Sequence, residues 1–276
     1  MCWNEGCREP LSRRTLLAGV VTTAASVTEA AAQQPTIPPP TRVLDDPAIQ
    51  HGKVRFLHNG AESIDGYLAR PKAAGTYPAV LVVAGNKISE EYIPNTCAAL
   101  AVAGFVGLAP NIFHPLPESA RTNEEYDRYL SKHTESDRLD DVQLGLSYLR
   151  GQPFVRPGGM GIVGFCMGGR MALLFATRSR EIDAVVAFHP APTEKSELSR
   201  LTVPVVVHHG TDDHSVAAES SQKLLGNLRA QKTPVDLFLY EGADHGFLAY
   251  TRKFYRPEDA KLAWKRTTDF LQRHLK

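Results

Sequence analysis

Short apolar runs alternate with longer segments of mixed polarity along most of this chain. A continuous apolar run, of the kind buried on both faces of a sheet, occurs at 79–84, and further strands are predicted at 105–109, 184–188, 203–208 and 235–240. Intervening segments such as 136–149 carry apolar side chains at helical spacing and predict helices. Strands that alternate with helices predict an α/β fold, with a largely parallel central sheet and helices on both of its faces.

A hairpin is predicted before this alternation begins. Two runs, 54–58 and 63–69, flank the dipeptide Asn59-Gly60, which is the strongest short-range hairpin signal. The hairpin should add an antiparallel edge to the sheet. Because the chain shows no internal repeat and no second block of alternation, we expect one domain over residues 51–276.

Composition narrows the class of protein. The chain has 276 residues, 43% of them hydrophobic, and a net charge of +1. This near-neutral balance gives no reason to expect nucleic acid or an anionic membrane surface as a partner. No apolar run reaches the roughly 18 residues needed to span a bilayer.

The N-terminus resembles a targeting segment. The motif SRRTLL at 12–17 has the twin-arginine pattern, and a mildly apolar stretch then leads to three alanines at 30–32 that suit cleavage before Gln33. We predict that residues 1–32 are a signal peptide, recognised by the twin-arginine export machinery, which delivers the folded protein to the periplasm or outside the cell with no membrane anchor. Residues 33–50 are proline-rich and predict an extended linker, poorly ordered or wrapped on the surface.

The four cysteines divide between leader and domain. Cys2 and Cys7 fall within the predicted leader. Cys97 lies in an apolar run and is interpreted as helix packing. Cys166 and Cys97 are so differently placed that we expect both to be unpaired thiols.

Residues 161–172 predict a strand, a sharp turn and a helix. The pentapeptide GFCMG at 164–168 has the spacing of the G-x-S-x-G nucleophile elbow, with Cys166 in the serine position. Glycines flank such a nucleophile because side chains there would collide with the adjoining strand and helix. Taken alone, the motif also fits a glycine-rich junction that carries a buried cysteine.

Two later loops supply the groups that a cysteine nucleophile needs. One follows the strand at 203–208 and contains Asp213, and the other follows the strand at 235–240 and contains His245. In elbow hydrolases the acid precedes the histidine, and each lies after a parallel strand. Asp212 competes for the acid role, although Asp213 is favoured, and Asp213 could instead cap the next helix. The neighbouring histidines His208 and His209 are interpreted as packing and loop residues.

Five segments together resemble the dienelactone hydrolase family of α/β-hydrolases: GFCMGG at 164–169, GTDDHSV at 210–216, DHGF at 244–247, LAVAGFVGLAP at 100–110 and LAWKRT at 262–267. The resemblance covers residues 51–276 and implies the α/β-hydrolase fold and hydrolysis of an ester or lactone without a metal or organic cofactor. It further implies a triad of Cys166, His245 and Asp213. By the same resemblance, the backbone N–H groups of Met167 and Asn86 form the oxyanion hole.

The chain departs from the family at the thiol. Gly85 stands where the family carries a glutamate beside the nucleophile. Without that carboxylate, we expect Cys166 to rest as a thiolate opposite a protonated His245. An alternative is that Glu90 or Glu91 folds back to replace it.

The chain also departs in its substrate-binding arginines. The two arginine positions of the family correspond here to about Pro115 and Ala249, and we do not expect Arg252 or Arg121 to substitute. A neutral or aromatic ester is therefore predicted, rather than the carboxylated dienelactone. The predicted pocket is lined by Gly85, Ile112, Phe113, His114, His189, Phe247 and Tyr250.

Two other functions remain open from the sequence. The same triad could serve an acyltransferase or an amidase. Alternatively, the chain could be a catalytically weak binding protein on a hydrolase scaffold, and the altered Gly85 loop is the feature that favours this reading.

Overall fold

An eight-stranded mixed sheet forms the centre of the protein. The computed structural model describes residues 41–58, 62–85, 91–114, 116 and 123–275. The predicted signal peptide lies outside the described residues, as does the hairpin turn at 59–60, so the export signal stays a prediction. Within the described ranges, no helix combines the length and apolar character needed to cross a membrane.

The strands and helices alternate as the sequence pattern predicts. The strands are β1 Ile49–His58, β2 Glu62–Pro71, β3 Ala79–Val83, β4 Val106–Pro110, β5 Met160–Phe165, β6 Ile182–Phe188, β7 Val205–Gly210 and β8 Val235–Tyr240. The helices are α1 Tyr92–Val102, α2 Asn123–Leu130, α3 Glu135–Arg150, α4 Met167–Arg178, α5 Ala218–Ala230 and α6 Pro257–His274, and a short 3₁₀ turn spans Lys195–Leu198.

The order of strands across the sheet is β1-β2-β4-β3-β5-β6-β7-β8. β1 and β2 pair antiparallel, and β2 pairs antiparallel with β4. The strands from β4 to β8 are mutually parallel. The predicted α/β-hydrolase fold with an antiparallel N-terminal hairpin is therefore confirmed. The carboxyl ends of β5, β7 and β8 meet at one edge of the sheet, where open parallel sheets place their sites.

Each face of the sheet has its own hydrophobic core. Leu81 and Val83 of β3 pack into the core that contains side chains of α3, α4 and α5, and Val80 and Val82 pack into the core under α1 and α6. Successive side chains of a strand point to opposite faces. Because both faces are covered, an unbroken apolar run is the pattern that β3 requires.

The segment predicted as a linker joins the domain earlier than expected. β1 begins at Ile49, which is buried and pairs with Pro71 of β2. Ahead of it, the Asn95 side chain accepts a hydrogen bond from the Val43 N–H at 2.7 Å and donates one to the Thr41 carbonyl at 2.8 Å. Residues 41–50 are therefore fixed against the domain by pairing and side-chain contacts that local composition does not reveal.

Candidate active site

Cys166 occupies a sharp turn between β5 and α4. Its backbone has φ 53° and ψ −118°, a conformation that non-glycine residues rarely adopt. The flanking glycines explain how the turn closes. A Cβ on Gly164 would lie 2.1 Å from the Gly168 carbonyl oxygen, and a Cβ on Gly168 would lie 2.1 Å from that of Val83. Both positions exclude any side chain, as the elbow motif predicts, and strain of this kind often marks a functional site.

Asp213 and His245 meet across two neighbouring loops. His245 follows β8, and its Nδ1 lies 2.8 Å from Oδ2 and 3.1 Å from Oδ1 of Asp213, which follows β7. The carboxylate also accepts hydrogen bonds from the backbone N–H groups of Ser215 at 2.8 Å and Val216 at 2.7 Å. The competing Asp212 is exposed and accepts a hydrogen bond from the Thr211 hydroxyl instead. The geometry therefore favours Asp213 as the acid.

His245 also reaches the thiol. It makes a side-chain hydrogen bond with Cys166, and donor atoms of Cys166, His189 and His245 all lie within 4.8 Å of one another. Burial lowers the pKa of His245, but hydrogen bonds with Asp213 and Cys166 outweigh burial and raise that pKa to about 9. The imidazole is thus held in its charged form at neutral pH, between a carboxylate and a sulfur.

The acid is stabilised as an anion. Burial alone would raise the pKa of Asp213, but hydrogen bonds from His209, His245 and the Val216 N–H hold it well below its usual range. The Asp213 side chain is fully buried. A permanent negative charge therefore faces Nδ1 of His245 and fixes the orientation of its ring.

His209 is a contact of the acid that sequence reasoning missed. It is fully buried at the end of β7, with Nε2 lying 2.8 Å from the Val216 carbonyl oxygen and 3.3 Å from Oδ2 of Asp213. Its Nδ1 lies 2.6 Å from the Ser221 hydroxyl. A carbonyl only accepts, so this pattern assigns the proton to Nε2 and makes His209 a donor toward Asp213. The available signal was the position of His209, four residues before the acid.

Asp244 ties the two loops together. Its Oδ1 accepts hydrogen bonds from the backbone N–H of His214 at 3.1 Å and of His245 at 2.6 Å. His214 belongs to the loop that carries Asp213, so one carboxylate fixes the spacing between the acid and the histidine. No pattern in the sequence points to this role of Asp244.

His189 directly follows β6 and lies beside His245. Its ring centroid lies 4.0 Å from that of His245, at an interplanar angle of 49°. The backbone has φ 36°, and the N–H donates to the His208 carbonyl at 2.7 Å. Burial, reinforced by the nearby charge of His245, lowers the pKa of His189 well below its ordinary value. His189 therefore presents a neutral ring to the site.

A cleft of about 90 Å³ opens at Cys166. The described residues that line it are Gly85, Tyr92, Ile93, Phe165, Cys166, His189, His245, Gly246, Ala249 and Arg252. A wider recess of about 620 Å³ shares His245 and Arg252 with this cleft. The described lining combines apolar and aromatic side chains with two cationic ones, His245 and Arg252.

Two of the predicted pocket residues, Gly85 and His189, line this cleft, and the other five lie elsewhere. Ile112 and Phe113 are buried in the core, and Phe113 packs against Tyr129.

The remaining three also have other partners. His114 faces Asp141, with 3.5 Å between Nε2 and Oδ2. Phe247 is fully buried against Tyr240, and the Tyr250 hydroxyl donates to Glu91. The N-terminal part of α1 supplies Tyr92 and Ile93 in their place.

Gly85 leaves no room for a carboxylate beside the thiol. A Cβ there would lie 2.5 Å from the Phe165 carbonyl oxygen and 2.9 Å from Cβ of Cys166. The alternative residue Glu91 pairs with Arg42 at 3.1 Å and with the Tyr250 hydroxyl, and it does not line the cleft.

Two more residues singled out in the sequence can be placed. Met167 is the first residue of α4, so its N–H is one of the first-turn donors that have no acceptor within the helix. Cys97 is fully buried in α1, and burial raises the pKa of its thiol. Asn86, Glu90, Pro115 and Arg121 lie outside the described residues.

Arg252 lies at the cleft, although the sequence offered no reason to expect it there. Ala249 stands where the family arginine was expected, but Arg252 lines the same cleft. Its Nη1 lies 4.0 Å from the point where a Cβ on Gly246 would stand, next to His245. The turn that follows Ala249 brings this side chain back over the cleft, a displacement that counting residues does not reveal.

Comparison with known proteins places this geometry in a family. Residues 64–275 match the profile of the dienelactone hydrolase family. A Bradyrhizobium protein, provisionally named as a 2-oxo-3-(5-oxofuran-2-ylidene)propanoate lactonase, is 34% identical over 232 residues, which cover 79% of this chain and 93% of the relative. A Methylorubrum extorquens protein, provisionally named carboxymethylenebutenolidase, is 28% identical over 96% of this chain and 94% of its own.

The structure agrees with the sequence comparisons. The crystal structure of a provisionally named dienelactone hydrolase from Klebsiella pneumoniae superimposes with a TM-score of 0.74 at 26% identity, covering 82% of this chain and 99% of its own. The family match extends over most of the residues that form the sheet and over all three members of the predicted triad. The chain therefore belongs to the dienelactone hydrolase family and is a hydrolase that acts on ester bonds.

Proposed function

We propose that this enzyme hydrolyses a small lactone or carboxylic ester, with Cys166 as the nucleophile, His245 as acid and base, and Asp213 as the residue that orients His245. The observation that carries the proposal is the continuous set of contacts from Asp213 through His245 to Cys166, which ends at the cleft. In nucleophilic catalysis, a base within reach of the nucleophile and a third group that orients the base form the functional unit.

In the first half-reaction, Cys166 is acylated. The proton that the pair shares already rests on His245, so the sulfur of Cys166 attacks the ester carbonyl carbon directly to form a tetrahedral adduct. The carbon–oxygen bond to the alcohol then breaks, and the departing oxygen takes the proton from His245. In a lactone, the alcohol released in this way stays attached to the acyl chain. The raised pKa of His245 supports its role as the proton donor at neutral pH.

In the second half-reaction, water releases the product. His245 accepts a proton from a water molecule, whose oxygen attacks the thioester carbonyl carbon. The adduct collapses, sulfur leaves, and the acid departs while the proton on His245 returns to the pair with Cys166. One water molecule is consumed for each ester bond broken, and no metal or organic cofactor enters either step.

Both adducts carry a negative oxygen that needs donors. The N–H of Met167, at the N-terminus of α4, is the donor next to the nucleophile. The resemblance to the family suggests Asn86 as the second donor. Losing one such donor typically costs about 2.7–4 kcal/mol in barrier height, so the residue after Gly85 should matter as much as a member of the triad.

Arg252 makes an anionic substrate the preferred one. The apolar side chains of Tyr92, Ile93 and Phe165 line the cleft and suit a flat ring. A guanidinium group pairs well with a carboxylate. We therefore replace the neutral ester predicted from the sequence with a small lactone that carries a carboxylate, held at its charged end by Arg252.

Turnover of p-nitrophenyl acetate tests the nucleophile. We expect hydrolysis by the wild type and by Cys97→Ala, because Cys97 is buried in α1 away from the cleft. Cys166→Ala should lose this activity. Equal rates for wild type and Cys166→Ala, with both proteins folded, would refute the assignment.

A further inference from the structure

The three side chains at the floor of the cleft have the composition of a metal site. Cys166 offers a sulfur, and His189 and His245 each offer a ring nitrogen, with all three donor atoms within 4.8 Å of one another. Thiolate and imidazole are the ligands that Zn²⁺ and other borderline or soft divalent ions prefer. The proposed hydrolysis uses Cys166 and His245 but gives no role to His189.

His189 is the feature that points to a ligand. Only 4% of the residue is exposed, and its Nδ1 has no hydrogen-bond partner among the described residues. A buried polar atom without a partner is costly. Because the ring lies 4.0 Å from that of His245 and lines the cleft, an ion held there could also be reached by an imidazole nitrogen of His189.

His245 has the second hydrogen-bond partner that a ligating histidine needs. Its Nδ1 is bound to Asp213 at 2.8 Å, which leaves Nε2 for an ion. A carboxylate on the far nitrogen of a ligating histidine fixes its ring and strengthens it as a ligand. The same arrangement that prepares His245 for catalysis therefore prepares it for coordination.

The spacing is close to that of a tetrahedral ion. Bonds of 2.0–2.3 Å place the ligands of Zn²⁺ roughly 3.5 Å apart. The three ligand atoms lie within 4.8 Å of one another. Small side-chain rotations that move each atom by about an ångström would bring them to the spacing that the ion needs. The fourth position of the ion would face the open cleft.

We infer that Cys166, His189 and His245 bind Zn²⁺ or a similar thiophilic divalent ion, and that this ion reversibly inhibits the enzyme. The ion occupies the sulfur and the nitrogen that the reaction requires, so inhibition is competitive with substrate. As the ion binds, the proton shared by Cys166 and His245 is released to solvent. The ion is an inhibitor at this site and takes no part in hydrolysis.

Optical titration with Co²⁺ measures this site without using activity. The full-length chain is used with Cys2→Ser and Cys7→Ser in every protein, so that these thiols add no signal. We expect one equivalent of Co²⁺ to give visible bands of tetrahedral coordination and a near-ultraviolet thiolate charge-transfer band, and Zn²⁺ to displace it. Cys166→Ala should remove the charge-transfer band.

His189→Phe separates a three-ligand site from an ordinary Cys–His pair. Replacing a supporting residue of a metal site costs about 10–100-fold in affinity, so loss of a ligand should cost at least that much. His274→Phe, near the end of α6, is the matched control and should leave the titration unchanged.

Three outcomes would overturn the inference: no thiolate band in the wild type, unchanged affinity in His189→Phe, or Zn²⁺ inhibition that is not competitive. Measuring Zn²⁺ inhibition of ester hydrolysis against substrate concentration rests on the proposed function, whereas the Co²⁺ spectra do not. A protein that binds Co²⁺ through Cys166 but fails to hydrolyse esters would refute only the proposed function.

Discussion

Oδ2 of Asp213 lies 3.3 Å from Nε2 of His209, a fully buried histidine on the strand that leads into the acid loop. The same oxygen lies 2.8 Å from Nδ1 of His245. One carboxylate oxygen therefore contacts two imidazoles, and of these only His245 lines the cleft. This relationship makes His209 a positioning residue that acts through Asp213.

Removing the His209 contact should slow the reaction without removing it. In His209→Phe, Asp213 loses a donor, and a hydrogen bond to a charged group is worth about 1.5–3 kcal/mol, so kcat should fall roughly ten- to a hundredfold. His209→Gln keeps a donor and should recover part of the loss. Steady-state kinetics on an alkyl ester would measure both variants, with KM changing less than kcat.

The matched control is His208→Phe, one residue earlier on β7. His208 is equally buried but binds the Tyr240 hydroxyl at 2.8 Å and makes no hydrogen bond to Asp213. Its replacement should lower the melting temperature yet leave the pH profile of kcat alone. If folded His209→Phe kept the wild-type kcat and pH profile, the positioning role would be ruled out.

The raised pKa of His245 predicts an alkaline limit to activity. The ring keeps its proton up to a pKa of about 9, rather than the ordinary 6.5, and this proton is needed by a poor leaving group. For an alkyl ester, kcat/KM should therefore fall as pH rises through about 9. A fall in kcat/KM that is instead centred near pH 6.5 would contradict the raised pKa of His245.

The same shift predicts a change in stability. A group whose pKa is higher in the folded state binds its proton more tightly there, so the proton stabilises the fold. This contribution of His245 is complete below about pH 6.5 and is lost as pH rises through about 9. Denaturant unfolding of wild type and His245→Gln, compared at pH 6 and pH 10, should show a smaller difference at the higher pH.

Position 85 should tolerate no side chain. In Gly85→Ala, the new Cβ would lie 2.5 Å from the Phe165 carbonyl oxygen and 2.9 Å from Cβ of Cys166, so the elbow must shift. Overpacking of this kind typically costs about 1–3 kcal/mol, and we expect kcat/KM and the melting temperature to fall together.

Gly226→Ala is the control for this substitution. Gly226 is exposed in α5, and nothing lies within 4 Å of an added Cβ. Because alanine is favoured over glycine inside a helix, the change should stabilise the fold by about 0.5–1 kcal/mol with kcat/KM intact. Wild-type activity and stability in Gly85→Ala would show that the loop and the elbow are not packed as described.

Arg252→Gln should change substrate preference. The side chain is exposed at the mouth of the cleft, where a charge contact is worth up to about 1 kcal/mol, or roughly a fivefold change in KM. KM for a carboxylated lactone should rise by that factor, and KM for its neutral methyl ester should not. Lys253→Gln is the matched control, because Lys253 lines only the wider recess. Equal changes for both substrates would remove Arg252 from carboxylate recognition.

The central part of the fold could be predicted from the sequence because strands β3 to β7 are almost wholly buried on both faces. An apolar run such as β3 has few alternatives, and the strand predicted at 235–240 matches the limits of β8. The start of β1 at Ile49 could not be predicted in this way. Its place in β1 depends on pairing with Pro71 across the hairpin, which local composition does not express.

The same distinction between local patterns and distant contacts applies to the residues of the site. The elbow glycines and the order of Asp213 and His245 are local features, so they could be identified from spacing. His209, Tyr92 and Arg252 act through contacts between segments distant in the chain. No count of residues predicts which of them turns toward the cleft.

Mapping the acyl group tests the central claim most directly. Wild-type enzyme is mixed with p-nitrophenyl acetate, quenched in acid within the first turnover, digested and analysed by mass spectrometry. We predict a burst of one p-nitrophenolate per enzyme and a single acetylated peptide, with the acetyl group on Cys166. An acetyl group on any other residue, or turnover by Cys166→Ala at the wild-type rate, would contradict the proposed mechanism.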